Sequence, residues 1–433
     1  MKIAILGGGI TGLTAAYYLA KKNHQITLFE KEKILGGLAA GFKTNNWDWY
    51  LERAYHHLFA NDYDILNFVK EIGFNKIFFK APETASLFSD TIMKQSNNLT
   101  ILPLDTPIDF LKFPYLNIVD KLRAGIVISF LKLSPFLSIY EKQTSQEFLK
   151  KTMGEKVWNI LWQQLFRGKY GDYAGNIMAS FIWARIKKRT KNLGYIEGGF
   201  QTLINYIEKQ LKGLKVEMFK GTEVEEIKKQ KNKFVLTYVK RPSQIDKESF
   251  DMIISTLPTP VLTKVSQTIL PKNYLDRLSR IRYLHALTLI LETERPILDK
   301  TYWLNISTPK IPIMGIVQHT NFIDKKNYNN KHIAYLGWYL KREDKLMNMG
   351  KDELVKFVKP YLKILNSQFS ILNSFLFKAP FAQPIFDKNF VKNKPDFVTP
   401  VKNFFIANLD MTYPYDRGTN YAVKLGKQVA ELI

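Results

Sequence analysis

Apolar and polar positions fall in blocks along the chain, and the first block is the most informative. The run "IAIL" at residues 3–6 reads as a short strand buried on both faces. "GGGITG" at 7–12 interrupts it, and "LTAAYYLAKK" follows with apolar residues at helical spacing. A second strand, "QITLFE", ends at Glu30. Further along, "GYIEGGFQTLINYIEKQL" (194–211) is a glycine turn opening a helix, and "LKVEMFKGTEVEEI" predicts a strand pair within 214–227. "FDMIISTLPTPVL" (250–262) is an apolar strand that ends in small residues and proline. The last block predicts a strand at "FFIAN", a loop, and a final helix starting around Gly418–Asn420. There is no internal repeat or low-complexity linker.

The glycine spacing adds chemistry to this pattern. Strand, G-x-G-x-x-G, helix and strand is the arrangement that binds a dinucleotide. Gly7 permits the tight turn, Gly9 lets backbone approach a pyrophosphate, and Gly12 lets the helix pack on the strands. Ile10 and Thr11 open the helix, whose N-terminal partial charge faces the phosphates. Glu30, with Lys31 beside it, lies 18 positions after Gly12, where a carboxylate accepts hydrogen bonds from an adenosine ribose. The chain has one such motif, so a second, permanent nicotinamide site is not expected.

The long apolar stretch "AGIVISFLKLSPFLSIY" (124–140) is broken by Lys132 and Pro135 and is too short to span a membrane. The favoured reading is a buried helix. The alternative is an interfacial patch, since Lys121, Arg123 and Lys132 flank its apolar residues.

Composition narrows the classes. At 433 residues the chain has room for two or more domains. The absence of cysteine removes disulfides, thiolate zinc sites, iron–sulfur clusters and thiol catalysis. A net charge of +24 favours anionic partners, a membrane surface or a substrate among them. No nucleic-acid-binding signature accompanies it, so nucleic acid is not expected. "MKIAIL" enters a strand directly, and the expected location is cytoplasmic, reaching the inner face of a membrane if the apolar patch docks there.

A second glycine pair, Gly36-Gly37, follows Glu30 in "EKEKILGGLAAGF". With this pair the sequence resembles the FAD-dependent amine oxidase superfamily, which includes protoporphyrinogen oxidases, phytoene-type desaturases and UDP-galactopyranose mutases. Leu38 stands where amine oxidases proper usually carry Arg. The resemblance implies an α/β fold: a Rossmann-like, GR2-type FAD-binding domain interleaved with an α+β substrate-binding domain. Its segments would be 1–85, 194–265 and 391–433 for FAD, with 86–193 (mainly helical) and 266–390 (with strands) for the substrate. It further implies that Gly36, Gly37 and Leu38 lie against FAD, that Val224 sits beside adenine, and that Thr256 belongs to the loop after the apolar strand. Gly418, Thr419 and Asn420 would offer a helix N-terminus to the flavin. Asn408-Leu409 replaces the family's Gly-Asp, so either Asn408 or Asp410 takes the polar cofactor contact.

The stretch "AYHHLFAND" carries two of the six histidines, His56 and His57. Adjacent side chains diverge and no further ligand lies near, so no metal is expected. The resemblance puts His57 near the flavin ring with Arg53 and His56 as neighbours. In 161–191, Arg167, Lys169, Arg185, Lys187, Lys188 and Arg189 are candidates to clamp an anionic substrate, Arg185 foremost because its neighbours are apolar. For 187–189 the favoured reading is a solvated helical face. The expected activity is hydride transfer from a hydrophobic, anionic or lipid-like small molecule to flavin N5; the alternative is a non-redox sugar-nucleotide mutase. His57, Arg53 and Arg185 are the catalytic candidates.

Overall fold

A computed structural model describes residues 1–89, 98–240 and 244–433. Its first sheet has five parallel strands: β1 Lys2–Leu6, β2 Gln25–Glu30, β3 Glu217–Lys220, β4 Met252–Ser255 and β5 Phe404–Ile406. Their spatial order is β3-β2-β1-β4-β5, with Ile3 opposite Ile26 on one side and Met252 on the other. Ile3, Ala4, Ile5 and Leu6 are all buried, as expected of a parallel strand covered on both faces. Helix α1, Ile10–Lys21, returns the chain from β1 to β2. The sheet thus gathers strands from three distant parts of the sequence.

The chain between the sheet strands builds the rest. Helix α2 spans Tyr63–Glu71. From 107 to 188 the chain is predominantly helical, with α3 Pro107–Lys112, α4 Ile118–Leu133, α5 Gln163–Tyr170 and α6 Ala179–Lys188 among its helices. Helix α7, Phe200–Gly213, leads into β3. A three-stranded antiparallel sheet, Thr222–Gln230, Lys233–Lys240 and Gln244–Phe250, lies between β3 and β4 in the sequence. After β5, helix α8, Thr419–Glu431, packs on α1. Their approach is close: a Cβ on Gly426 would lie 2.5 Å from the Thr11 carbonyl oxygen; in the turn after β1, one on Gly12 would lie 2.0 Å from the Gly7 carbonyl oxygen. No larger residue fits either position without moving backbone.

The second large sheet is mixed and has seven strands. Its order is 371–384, 283–293, 332–340, 315–318, 303–306, 84–89 and 99–103. One face, with Leu287, Leu289, Leu336 and Trp338, packs on the helix Lys351–Leu365 through Leu354, Val358 and Leu362. The period of two along a strand turns Tyr335, Gly337 and Tyr339 to the opposite face, where they meet Glu52, Tyr55 and Arg417. Among the described residues no helix is long and apolar enough to cross a membrane.

Helix α4 corrects the favoured sequence reading. Only Ala124 and Leu131 of its residues are buried, and its outer face is apolar and exposed.

Candidate active site

The two glycine turns meet backbone to backbone. The Gly36 N–H donates to the Gly8 carbonyl at 2.8 Å, and a Cβ on Gly37 would lie 3.1 Å from the Gly9 Cα. Gly36, at φ 121°, and Gly37, at φ 57°, occupy conformations that favour glycine. Helix α1 begins at Gly9 with no side-chain cap and no acidic residue in its first turn. Its leading N–H groups, from Ile10, Thr11 and Gly12, therefore suit an anion. Glu30 closes the same edge: its carboxylate accepts from the Gly8 N–H at 2.7 Å and the Glu32 N–H at 2.9 Å. Burial raises its pKa, and those two bonds oppose the rise. Thr256 braces the turn by donating to the Leu6 and Gly7 carbonyls, at 2.9 and 3.2 Å. Lys31 and Leu38 are exposed beside this cradle, and Val224 lies on the strand that follows β3.

A second uncapped helix start belongs to α8, whose N-cap is Gly418 and whose first turn, like that of α1, has no acid. Thr419 and Asn420 are buried there. The Asn420 side chain is engaged by α2, accepting from the Ile65 N–H and donating to Asp64, both at 3.1 Å, which leaves its backbone for a ligand. Asn408 donates to the Leu257 carbonyl at 3.0 Å and to Thr259 at 2.9 Å. Asp410 accepts from Thr259 and Tyr283, both at 2.5 Å, and burial pushes its pKa up to about 6. One Asp410 oxygen remains buried without a partner. Two uncapped helix starts and the paired glycine turns offer backbone N–H groups suited to an anionic, phosphate-bearing cofactor.

The stretch Arg53–His57 runs between the cradle and the large sheet, half-buried between fully buried Leu51, Glu52 and Leu58. The Arg53 N–H donates to the Ala40 carbonyl at 3.2 Å, its guanidinium lies over Phe377, and its Nε is buried without a partner. The Tyr55 ring meets Trp303 edge-on at 4.6 Å and lies close to Gly337. His56 Nδ1 lies 2.7 Å from the Ala54 carbonyl. His57 packs edge-on to Phe59 at 5.3 Å and Trp303 at 6.1 Å, and its Nδ1 has no partner. Burial first, then Arg417, lowers the His56 pKa to about 4; burial, then His56, Arg189 and Arg185, lowers that of His57 to about 3. Both rings are neutral at pH 7. Among the described residues no group of three His, Asp or Glu could hold a metal.

Opposite this stretch is a cationic cluster that the sequence only partly disclosed. Lys169 on α5 pairs with Asp416, and Arg185 on α6 approaches the same carboxylate at 3.5 Å. Arg417 donates to the Tyr339 hydroxyl and, at 2.9 Å, to the Ala382 carbonyl, with its guanidinium over the Tyr339 ring. Burial raises the Asp416 carboxyl, but Lys169, Arg185 and Arg417 outweigh it and hold the pKa at about 2. Burial lowers Lys169 to about 8, against the pull of Asp416.

Arg185 therefore joins the cluster, whereas Arg167 is exposed. Lys187 to Arg189 are not a simple solvated face. Lys187 reaches the Ser134 carbonyl at 2.7 Å, Lys188 pairs with Asp62 at 3.3 Å, and Arg189 with Asp105 at 3.2 Å. Asp416, Arg417, Tyr55, Tyr339 and Trp303 were missed. The pair Asp416-Arg417 directly before a predicted helix start was the available signal; the tyrosines and tryptophan gave none.

The family model of flavin containing amine oxidoreductases matches residues 10–433. A 15-cis-phytoene desaturase of Synechococcus elongatus is 38% identical over 73 residues, 17% of this chain and 15% of that protein's length. Among solved structures, a candidate protoporphyrinogen oxidase from Exiguobacterium sp. 255-15 superposes with a TM-score of 0.75 at 18% identity, covering 100% of this chain and 98% of the other. A reduced UDP-galactopyranose mutase gives 0.76 at 15% identity, covering 99% and 94%. At those identities the structures share the fold. With its glycine cradle, two open helix starts and a family match over nearly its whole length, the chain belongs to the flavin containing amine oxidoreductases.

Proposed function

We propose that the chain is an FAD-dependent oxidase or desaturase that removes a hydride from a hydrophobic small molecule bearing an anionic group. The observation that carries this reading is the pairing of an aromatic wall, Tyr55, Trp303 and Tyr339, with three cations around one carboxylate, Asp416. An aromatic wall favours an apolar body, and unbalanced cations favour an anion. The match to a 15-cis-phytoene desaturase, over 73 residues, supports a redox reaction of the desaturase type. The mutase alternative is not favoured: the matching family is one of oxidoreductases, and the likeness to the mutase is one of fold.

In this reading FAD is held by Gly7, Gly9, Gly12, Glu30, Gly36 and Gly37 at its dinucleotide half and by the α8 start, Gly418 to Asn420, at its ring. Ile10, Thr11, Lys31, Leu38, Val224 and Thr256 flank it. Bound FAD supplies a two-electron acceptor. The N-terminus of α8 favours negative charge at the ring edge. Arg417 and Lys169 orient the anionic end of the substrate, and Arg185 stands at the outer side with 43% of its side chain exposed. His57 is a neutral, packed wall residue, and Arg53 anchors the strand that carries it. Segments 1–85, 194–265 and 391–433 form the cofactor domain, and the intervening residues form the substrate domain.

The test is anaerobic mixing of the flavin-loaded protein with polyprenyl, carotenoid and porphyrinogen compounds while following flavin absorbance. Bleaching by one of them is expected, weakened in Arg417→Met. Turnover of a UDP-sugar by the reduced protein alone, without net electron flow, overturns the oxidoreductase reading.

A further inference from the structure

The helical segment behind the site presents an apolar surface to solvent. Along α4, Val119, Leu122, Ile126, Phe130 and Leu133 are 53–79% exposed. Their spacing, three or four residues at each step, lines them along one face of the 16-residue helix. Helix α3 extends the face with Ile108 and Leu111, 62% and 53% exposed, and Phe136 extends it beyond the other end at 62%. The helix is held by its opposite side, where Ala124 and Leu131 are buried and where α4 packs on α6 and on the helix Ser145–Met153. A contiguous exposed stripe of this length on a protein with ample core residues marks an interaction surface.

Charge selects the occupant. Residues 107–142 hold five basic and three acidic residues, within a chain of net charge +24. Two of the acids are engaged: Asp109 in the capping box with Thr106, and Asp120 in an ion pair with Lys156 at 3.1 Å. Lys112 is exposed at the end of α3. Two copies at this charge repel one another, whereas an anionic surface attracts both the charge and the apolar stripe. Apolar residues on one side with Lys and Arg at the margins suit a helix lying in the plane of a bilayer interface.

We propose that α3 and α4 form a docking surface for an anionic phospholipid bilayer. The docked face would lie one helix away from the site. Lys132 reaches from α4 to the Ile186, Lys187 and Arg189 carbonyls at the end of α6, at 3.3, 3.1 and 2.7 Å. Trp183 of α6 donates to the Ser134 carbonyl at 3.0 Å. Docking needs only the exposed face and its charge, and it stands whichever substrate the site takes.

Flotation of the flavin-loaded protein with vesicles tests it. Wild-type protein is expected to float with phosphatidylglycerol–phosphatidylcholine vesicles at low salt, and severalfold less with pure phosphatidylcholine or at high salt. Leu122→Ser/Ile126→Ser/Phe130→Ser should lower partitioning at least about tenfold while leaving the flavin spectrum and melting temperature unchanged. Ile126→Asp alone gives a second reading if the triple variant does not fold, and Lys112→Glu should weaken binding to anionic vesicles only. Wild-type protein that stays unbound at low salt, or a triple variant that floats like wild type, overturns the proposal. So does a wild-type dimer that the triple variant dissociates, which would assign the face to a second copy.

Discussion

The Glu52 carboxylate lies 2.7 Å from the Phe200 backbone N–H and caps helix α7 from 148 residues away in the chain. Its other oxygen accepts from the Tyr195 hydroxyl at 2.7 Å, and the Tyr335 hydroxyl donates to the Glu52 backbone carbonyl at 2.9 Å. One buried residue thereby fixes the start of the 53–57 stretch against both α7 and the large sheet. Its carboxyl is pushed up to about 7 by burial, opposed by the Phe200 and Tyr195 bonds.

Replacing Glu52 tests that role. Glu52→Ala strands two buried donors and should cost about 3 kcal/mol of stability. Glu52→Gln keeps one acceptor and should cost about 1 kcal/mol. Urea denaturation of the flavin-loaded protein measures both; equal costs would mean that the acceptor does not matter.

Glu30→Ala should weaken FAD retention at least about tenfold, since each lost good hydrogen bond to a charged group is worth about 1.5–3 kcal/mol. Equilibrium dialysis against FAD reads the change. Retention equal to wild type would contradict the ribose role of Glu30.

The depressed pKa of Lys169 gives a pH signature. The cation is present below about 8 and is lost as pH rises through that value, so kcat/KM for an anionic substrate should fall above about 8. Lys169→Arg should remove this limb, because guanidinium stays charged. The unfolded lysine keeps its proton to about 10.4, so between 8 and that pH the unfolded chain holds more protons and this group's contribution to stability rises. Activity and stability therefore move in opposite directions over one window. A profile without a limb near 8 excludes Lys169 as the anion contact.

His56 and His57 should show no imidazole titration between pH 5 and 8 by nuclear magnetic resonance. An unfolded histidine gains a proton near 6.5, whereas these two resist until about 4 and 3, so each withdraws stability as pH falls below 6.5. Glu52 and Asp410, with raised pKa values of about 7 and 6, act in the opposite sense over much of that range. Bulk acid denaturation mixes both contributions, so resonances of single rings are the decisive measurement. A midpoint above 5 for either ring would show that it is not sealed from water.

The cradle was legible because its chemistry is local. Gly7, Gly9, Gly12 and Glu30 lie in one strand–turn–helix–strand unit, and each has one physical task. The facing cluster was legible only in its cations Lys169 and Arg185; Tyr339 and Asp416 were missed, because the four meet only after separate elements pack. Helix α4 misled for a related reason. Apolar content measures what a helix can bury, and only the packing of α6 and the helix 145–153 decides which side has been used. For Asp410, sequence placed a polar residue near the cofactor strand but could not show that Thr259 and Tyr283 would engage it.

Strand β5 pairs with β4 through Ile253–Phe404, Ile254–Phe405 and Ser255–Ile406, and α8 follows it directly. The edge of the parallel sheet and the helix start assigned to the flavin ring therefore leave the ribosome about 150 residues after β4, the last of the other four strands. Until then the nascent chain presents half a nest: glycine turns able to hold phosphates, and no floor beneath the ring. Under the proposed cofactor assignment, binding of the ring half therefore waits for α8, long after the phosphate cradle has been made.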